Sequence, residues 1–248
     1  MKKIKIIALA VLAATSSQVA MAEQTHVEDK LYTSIEKVEN HTSVNTKLGQ
    51  KDMKTIGYDS FNYGLGVENT TTINDRHHVT FGIEGERTMS DHYSIGKDEI
   101  RQKGYGVNAN YKYDIPVNYA LTVSPLVGVG YETSILKSNG DRSELNRSYG
   151  EVGAEAQYTL QNGWLLNPSL TFQRDINAKE KNNNVHDSSP SWGHKYEVEF
   201  GVEKELTNGS NISVAPYYAK YKNKSNATTE SNFQKEVQDS GVKVKFEY

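Results

Sequence analysis

The stretch from His194 to Leu206, HKYEVEFGVEKEL, places Tyr196, Val198, Phe200 and Val202 between Lys195, Glu197, Glu199, Gly201 and Glu203. That period of two gives an extended strand one apolar and one charged face. The pattern recurs along the chain and predicts strands at 29–38, 60–69, 78–88, 104–113, 120–132, 148–160, 164–174, 194–206, 211–222 and 240–248. Every one of these apolar faces needs an apolar neighbour. Yet hydrophobic residues are only 36% of the chain and its mean hydropathy is -0.69, which leaves little material for a conventional interior.

The predicted connections alternate in length. Those at 70–77, 114–119, 161–163 and 207–210 are short, and two of them carry Asn-Gly, which supplies the positive φ of a tight hairpin. Those at 39–59, 89–103, 133–147, 175–193 and 223–239 are long and rich in Asn, Ser, Lys, Asp and Glu, as solvated loops are. Consecutive hairpins with one decorated end form an up-and-down barrel or an open meander, and only the barrel leaves no edges.

Residues 1–22 carry Lys2, Lys3 and Lys5, then the apolar run IIALAVLAA, then Ala20-Met21-Ala22. This is the pattern of a secretory signal peptide, with the mature barrel domain expected over 23–248. The apolar run is too short for a membrane-spanning helix. With no cysteine there is neither a disulfide framework nor a thiolate metal site, and a net charge of -3 gives no basis for nucleic-acid binding.

Alternation alone does not say which face is wet, since a soluble barrel would turn the apolar face inward. Three features favour a membrane barrel. The chain is marked for export, the strands run about 9 to 13 residues as tilted membrane strands do, and aromatic residues, mostly Tyr, gather at the strand ends as girdles. The apolar stripe then meets lipid and the charged stripe lines the lumen. That lumen holds Glu68, Glu84, Glu86, Lys112, Glu132, Glu151, Glu155, Lys195, Glu197, Glu199, Glu203, Lys243, Lys245 and Glu247. Pro125, Pro168 and Pro216 occupy similar places in three strands and predict either a β-bulge or an unpaired carbonyl there.

Signal peptide, hairpin rhythm and the terminal strand Gly241-Val-Lys-Val-Lys-Phe-Glu-Tyr248 together resemble the outer-membrane β-barrel proteins of Gram-negative bacteria. The resemblance implies an all-β, up-and-down antiparallel transmembrane barrel of about ten strands in the outer membrane. It also implies short periplasmic turns, long extracellular loops and periplasmic termini. Phe246 and Tyr248 would then form the signal read by the barrel-assembly machinery. Outer-membrane lipid and lipopolysaccharide would surround the barrel, and a host or matrix ligand could meet its loops.

The strand count also resembles the omptin proteases, whose Asp-x-Asp pair has no counterpart here. Asp91-His92 and His186-Asp187 are adjacent and would point to opposite faces. His77-His78 reads as a solvated turn, and the Gly-x-Gly triplets lie inside strands, where Gly makes room in the lumen. No enzyme, cofactor or metal is expected. The remaining choice is between a porin-like passive channel, cation-preferring because of its carboxylates, and a closed salt-bridged barrel that presents loops for adhesion or envelope integrity.

Overall fold

A computed structural model of the protein describes residues 37–53, 58–89, 101–138, 141–182, 185–207, 209–225 and 235–248. The expected signal peptide lies outside the described residues. The strands are β1 Val38–Met53, β2 Tyr58–Ile73, β3 His77–Met89, β4 Arg101–Tyr113, the two-residue β5 Ile115–Pro116, β6 Leu121–Ser138, β7 Asp141–Thr159, β8 Trp164–Asn182, β9 Val185–Glu205, β10 Asn211–Ser225 and β11 Lys235–Glu247. Strands adjacent in sequence pair antiparallel except β4 and β5, which both pair with β6, and β1 pairs with β11. The sheet is therefore a closed barrel of ten full strands, with β5 a short continuation of the β4 edge.

The short turns follow from local chemistry. Asn74 and Asp75 both take positive φ, 52° and 58°, in the β2–β3 turn, which suits the strand twist. Gly163 takes φ 75° in the β7–β8 turn, where Leu160 N donates to Trp164 O at 2.8 Å. At the same end, Thr42 and Tyr248 exchange both backbone hydrogen bonds, at 3.3 and 3.1 Å. Tyr248 thus closes the barrel beside the short turns.

The segment expected to be the first strand, 29–38, is not where the first described strand runs. All of it but residues 37 and 38 lies outside the described residues, and β1 occupies Val38–Met53, all of which beyond Val38 the sequence pattern assigned to a loop. The outward positions of β1 explain the mismatch: Thr46 and Gln50 flank Leu48, so its polarity barely alternates. Pairing with β11 from Ser43 to Met53, and with β2 throughout, holds it in the sheet instead.

Two further expected loops are also largely strand. β6 and β7 pair as far as Ser138 and Asp141, and β8 and β9 as far as Asn182 and Val185. Above the hydrocarbon the outward face no longer has to be apolar, so alternation fades while the backbone ladder continues.

The prolines interrupt the ladder without shifting it. Around Pro125 the pairing skips from Lys112↔Leu126 to Ile115↔Val123. Around Pro168 it skips from Glu155↔Ser169 to Tyr158↔Leu166, and around Pro216 from Val214↔Val202 to Tyr217↔Glu199. Each gap is equal on both strands, so a missing proline donor, not a bulge, is the cause. A one-residue bulge lies elsewhere, at Ile176, where Ser148↔Asn177 is followed by Tyr149↔Asp175, and the β8–β9 ladder shifts again between Glu180 and Asn182.

Burial is inverted relative to a water-soluble sheet. The buried apolar side chains are few, chiefly Leu136, Leu145, Tyr149 and Tyr217, whereas Lys51, Asn62, Thr133, Arg147, Asp175 and Asp239 are all buried. Outside, Leu65, Val129, Val152, Leu170 and Val198 stand exposed at mid-strand. Val152→Arg should therefore cost about 2–4 kcal/mol of folding free energy, the depth-dependent cost of a charge on a lipid face. Urea titration of folding into lipid vesicles checks this.

Candidate functional site

Charged side chains from most of the strands converge on the inward face, and two adjoining cavities of about 270 and 350 Å³ run through it. Between them they are lined by Glu68, Glu84, Glu86, Glu132, Glu151, Glu155, Lys195, Glu197, Glu199, Glu203, Lys243 and Lys245. Lys112 reaches Glu155 at 3.3 Å, and Glu247 lies 3.5 Å from Lys245 near the short-turn end. All fourteen positions derived from alternation thus lie on the inward face or at its mouth. Phe246 and Tyr248 lie outside it, exposed, with ring centroids 6.1 Å apart.

An arginine layer that the sequence pattern did not reveal crosses the long-loop half, where it lines the larger of the two cavities. Arg147 on β7 donates from Nε and Nη2 to Glu132 Oε2 at 3.0 and 2.7 Å, from Nη1 to Asp175 Oδ1 at 3.2 Å, and from Nη2 to Gln173 Oε1 at 2.7 Å. Its guanidinium lies between the rings of Tyr149 and Tyr221, 4.6 and 4.9 Å from their centroids. Tyr221 in turn donates to Asp175 Oδ2 at 2.8 Å. Five donors in a planar fork suit this position as no lysine could.

A second layer centres on Asp239 of β11. It accepts from Lys47 Nζ at 2.7 Å, Tyr217 Oη at 2.9 Å and Asn62 Nδ2 at 3.3 Å. Beside it Lys51 reaches Glu86 at 2.5 Å, and Lys243 bonds both Glu197 and Glu199. Between them these contacts tie β1, β2, β3, β9, β10 and β11 across the lumen.

Glycine makes the layers possible. A Cβ on Gly130 would fall 2.4 Å from the Tyr149 ring, one on Gly193 2.4 Å from the Tyr221 hydroxyl, and one on Gly49 2.4 Å from the Tyr217 hydroxyl. Each inward tyrosine therefore lies across a residue that has no side chain.

The short-turn half is less tightly paired. Lys245 stands 3.8 Å from Glu68, Asn167 donates to Glu203 at 2.9 Å, and Glu84 is exposed to the cavity with no ion pair among the described residues. At the floor, His78 is not a solvated turn residue. Its Nε2 meets Asp114 Oδ2 at 2.9 Å and its Nδ1 meets Thr72 Oγ1 at 2.9 Å, while Ser124 donates to Asp114 Oδ1 at 2.6 Å. Ser124 thus bonds the carboxylate and not the imidazole, so the cluster braces the strand ends and does not activate a hydroxyl. Among the described residues no group of three or more His, Cys, Asp or Glu side chains is arranged to hold a metal ion. Asp91 and His92 lie outside the described residues.

Lys47, Lys51, Arg147, Asp175 and Asp239 were all missed by sequence reasoning because they fall in segments it assigned to loops. One signal was available: RSYGEVGAEAQY keeps its inward Glu and outward small residues, and Arg147 lies one inward step beyond Tyr149.

A closed ten-strand antiparallel sheet with an apolar exterior and a charged interior defines a transmembrane β-barrel. The chain belongs to the outer membrane protein beta-barrel domain family, whose model matches residues 6–191. By sequence, no curated protein matches it. Solved structures with a similar fold include the outer membrane protease OmpT from Escherichia coli, at 9% identity and TM-score 0.48, covering 89% of this chain and 99% of that one. A major outer membrane protein from Thermus thermophilus is similar at 12% identity and TM-score 0.41, covering 84% and 99%. Ail, the attachment invasion locus protein of Yersinia pestis, is similar at 12% identity and TM-score 0.38, covering 85% and 99%.

Removing the guanidinium would leave buried Asp175 and half-buried Glu132 without their counter-ion. Arg147→Met should cost roughly 3–5 kcal/mol. The triple change Arg147→Met, Glu132→Leu, Asp175→Asn should recover most of that loss in the same folding titration.

Proposed function

We propose that the protein is a narrow passive channel of the outer membrane for small cationic or neutral solutes, held shut toward its long-loop end by the Arg147 layer, and that it carries no enzymatic activity. The supporting observation is the contrast between the two halves of the lumen. One is crossed by the ion pairs of Arg147 with Glu132 and Asp175; the other is a cavity lined by Glu68, Glu84, Glu155 and Glu203, whose acidic side chains are more loosely paired. Carboxylates in a low-dielectric cleft raise the local cation concentration, so any solute that passes is selected by charge there. Conduction then requires only that the arginine layer part, a side-chain rearrangement within a fixed barrel.

A second reading has one observation in its favour. β8 and β9 run over 19 and 21 residues, whereas about 9–11 suffice to cross the hydrocarbon. Roughly half of that hairpin stands clear of the membrane, which suits a closed barrel that displays it for adhesion or envelope integrity.

Planar-bilayer recording separates the two. The refolded wild-type protein should give brief, cation-selective openings, Arg147→Ala should give longer ones, and Glu84→Lys should move the reversal potential toward anion preference. A folded Arg147→Ala barrel that remains silent would exclude the channel and leave the display reading.

A further inference from the structure

The outer face of β1 is poorly matched to lipid. Its outward positions read Asn40, Thr42, Val44, Thr46, Leu48 and Gln50, whereas those of β8 across the band read Trp164, Leu166, Pro168, Leu170 and Phe172. Register places the upper polar positions of β1 inside the apolar band and not beyond it. Thr46 is opposite Leu65 on β2 and Val244 on β11, and Gln50 is opposite Phe61 and Ser240. Leu48, Phe61, Leu65 and Val242 around them are exposed on the outer surface.

Toward the short turns the polar side chains of this face are bonded within the barrel. Asn69 donates to Thr42 Oγ1 at 3.2 Å and Thr71 to Asn40 Oδ1 at 2.7 Å. Higher up they are not: Thr46, Gln50 and Ser240 are exposed, and among the described residues their side chains have no hydrogen-bond partner. Hydrocarbon supplies none, so each such group is costly until something brings a donor and an acceptor to it. The surface is also shaped for a neighbour. Phe61 and Tyr63 stand opposite Gln50 and Leu48 on one side, and Tyr218 stands opposite Ser240 on the other. The outward positions between these rings, Leu48, Gln50, Ser240 and Val242, carry no aromatic side chain, which leaves a trough two strands wide between aromatic ridges.

We propose that this face is the contact surface for a second copy of the barrel, the two copies being related by a two-fold axis along the membrane normal. Both copies insert in one direction, so that axis brings equal depths together and sets each side chain against itself or its neighbours. The symmetry selects the occupant. A glutamine amide and a serine or threonine hydroxyl each donate and accept, so Thr46, Gln50 and Ser240 are their own polar complement, whereas an acyl chain offers them nothing. Two lipid-facing surfaces have no hydrophobic drive to associate, and hydrogen bonds with close packing over small residues are the forces left to hold them. The inference is independent of whether the lumen conducts.

The chain has no cysteine, so introduced cysteines report contacts without background. In the protein refolded into phosphatidylcholine vesicles at high lipid excess, Gln50→Cys should form a disulfide-linked dimer under mild oxidation, and Val152→Cys, on the exposed outer face of β7, should not. Single-molecule photobleaching of barrels labelled at Asn162→Cys reads association without a cross-link. The otherwise wild-type barrel should give two-step traces, and adding Thr46→Val/Gln50→Leu/Ser240→Ala should weaken association by about tenfold or more, the loss expected when a few symmetric hydrogen bonds are removed. That triple variant places more apolar surface against lipid, so urea titration should find it folded and no less stable than wild type, and its dissociation is then not misfolding. Equal cross-linking at Val152→Cys, single-step traces for the barrel without the triple change, or an undiminished dimer in the triple variant would overturn the proposal.

Discussion

Everything in this barrel depends on the backbone being satisfied in hydrocarbon. A strand in lipid has no water to bond its amides, so each N–H and C=O must meet a neighbouring strand, and the sheet must close. The β1–β11 seam and the β4–β6 pairing are the two joints at which that closure would otherwise fail. Pro125, Pro168 and Pro216 show how tightly the rule is kept. Each deletes one donor, yet the ladder resumes in unshifted register on the far side.

Closure removes the backbone as a variable and leaves the side chains to divide between two solvents. Hydrocarbon takes the Val, Leu, Phe and Tyr stripe, so polar residues collect inside. A polar interior is stable only if its groups partner one another or remain wet. This lumen uses both solutions at different depths. Toward the long loops, Arg147 and Asp239 each anchor a layer whose tyrosines lie over glycines; toward the short turns, acidic side chains line a cavity and are more loosely paired. The division arises from side-chain size as much as charge, because Gly130, Gly193 and Gly49 admit aromatic rings where any larger residue would exclude them.

Legibility of the sequence followed the same physics. Where a strand crosses lipid, alternation is enforced, and HKYEVEFGVEKEL or LTVSPLVGV could be read without error as to face. All fourteen charged positions derived that way lie on the inner surface or at its mouth. Where the chain leaves the hydrocarbon, nothing enforces apolar outward positions, and the upper parts of β6 to β9 became indistinguishable from polar loops. β1 was lost for a related reason, since its outward Thr46 and Gln50 carry no apolar signal and only its partners define it. The arginine layer was hidden with those segments. Its members come from β6, β7, β8 and β10, and no local pattern brings Arg147 to Asp175.

Depth-resolved quenching offers the most direct measurement of the inverted solvation. With Trp164 and Trp192 replaced by Phe, a single tryptophan at Leu170→Trp or at its neighbour Ser169→Trp would be read in vesicles of phosphatidylcholine brominated at mid-chain. Leu170 is outward and exposed, whereas Ser169 lines both cavities. Strong quenching at position 170 with little at 169 is the predicted result. Equal quenching at the two sites, or quenching confined to 169, would contradict it.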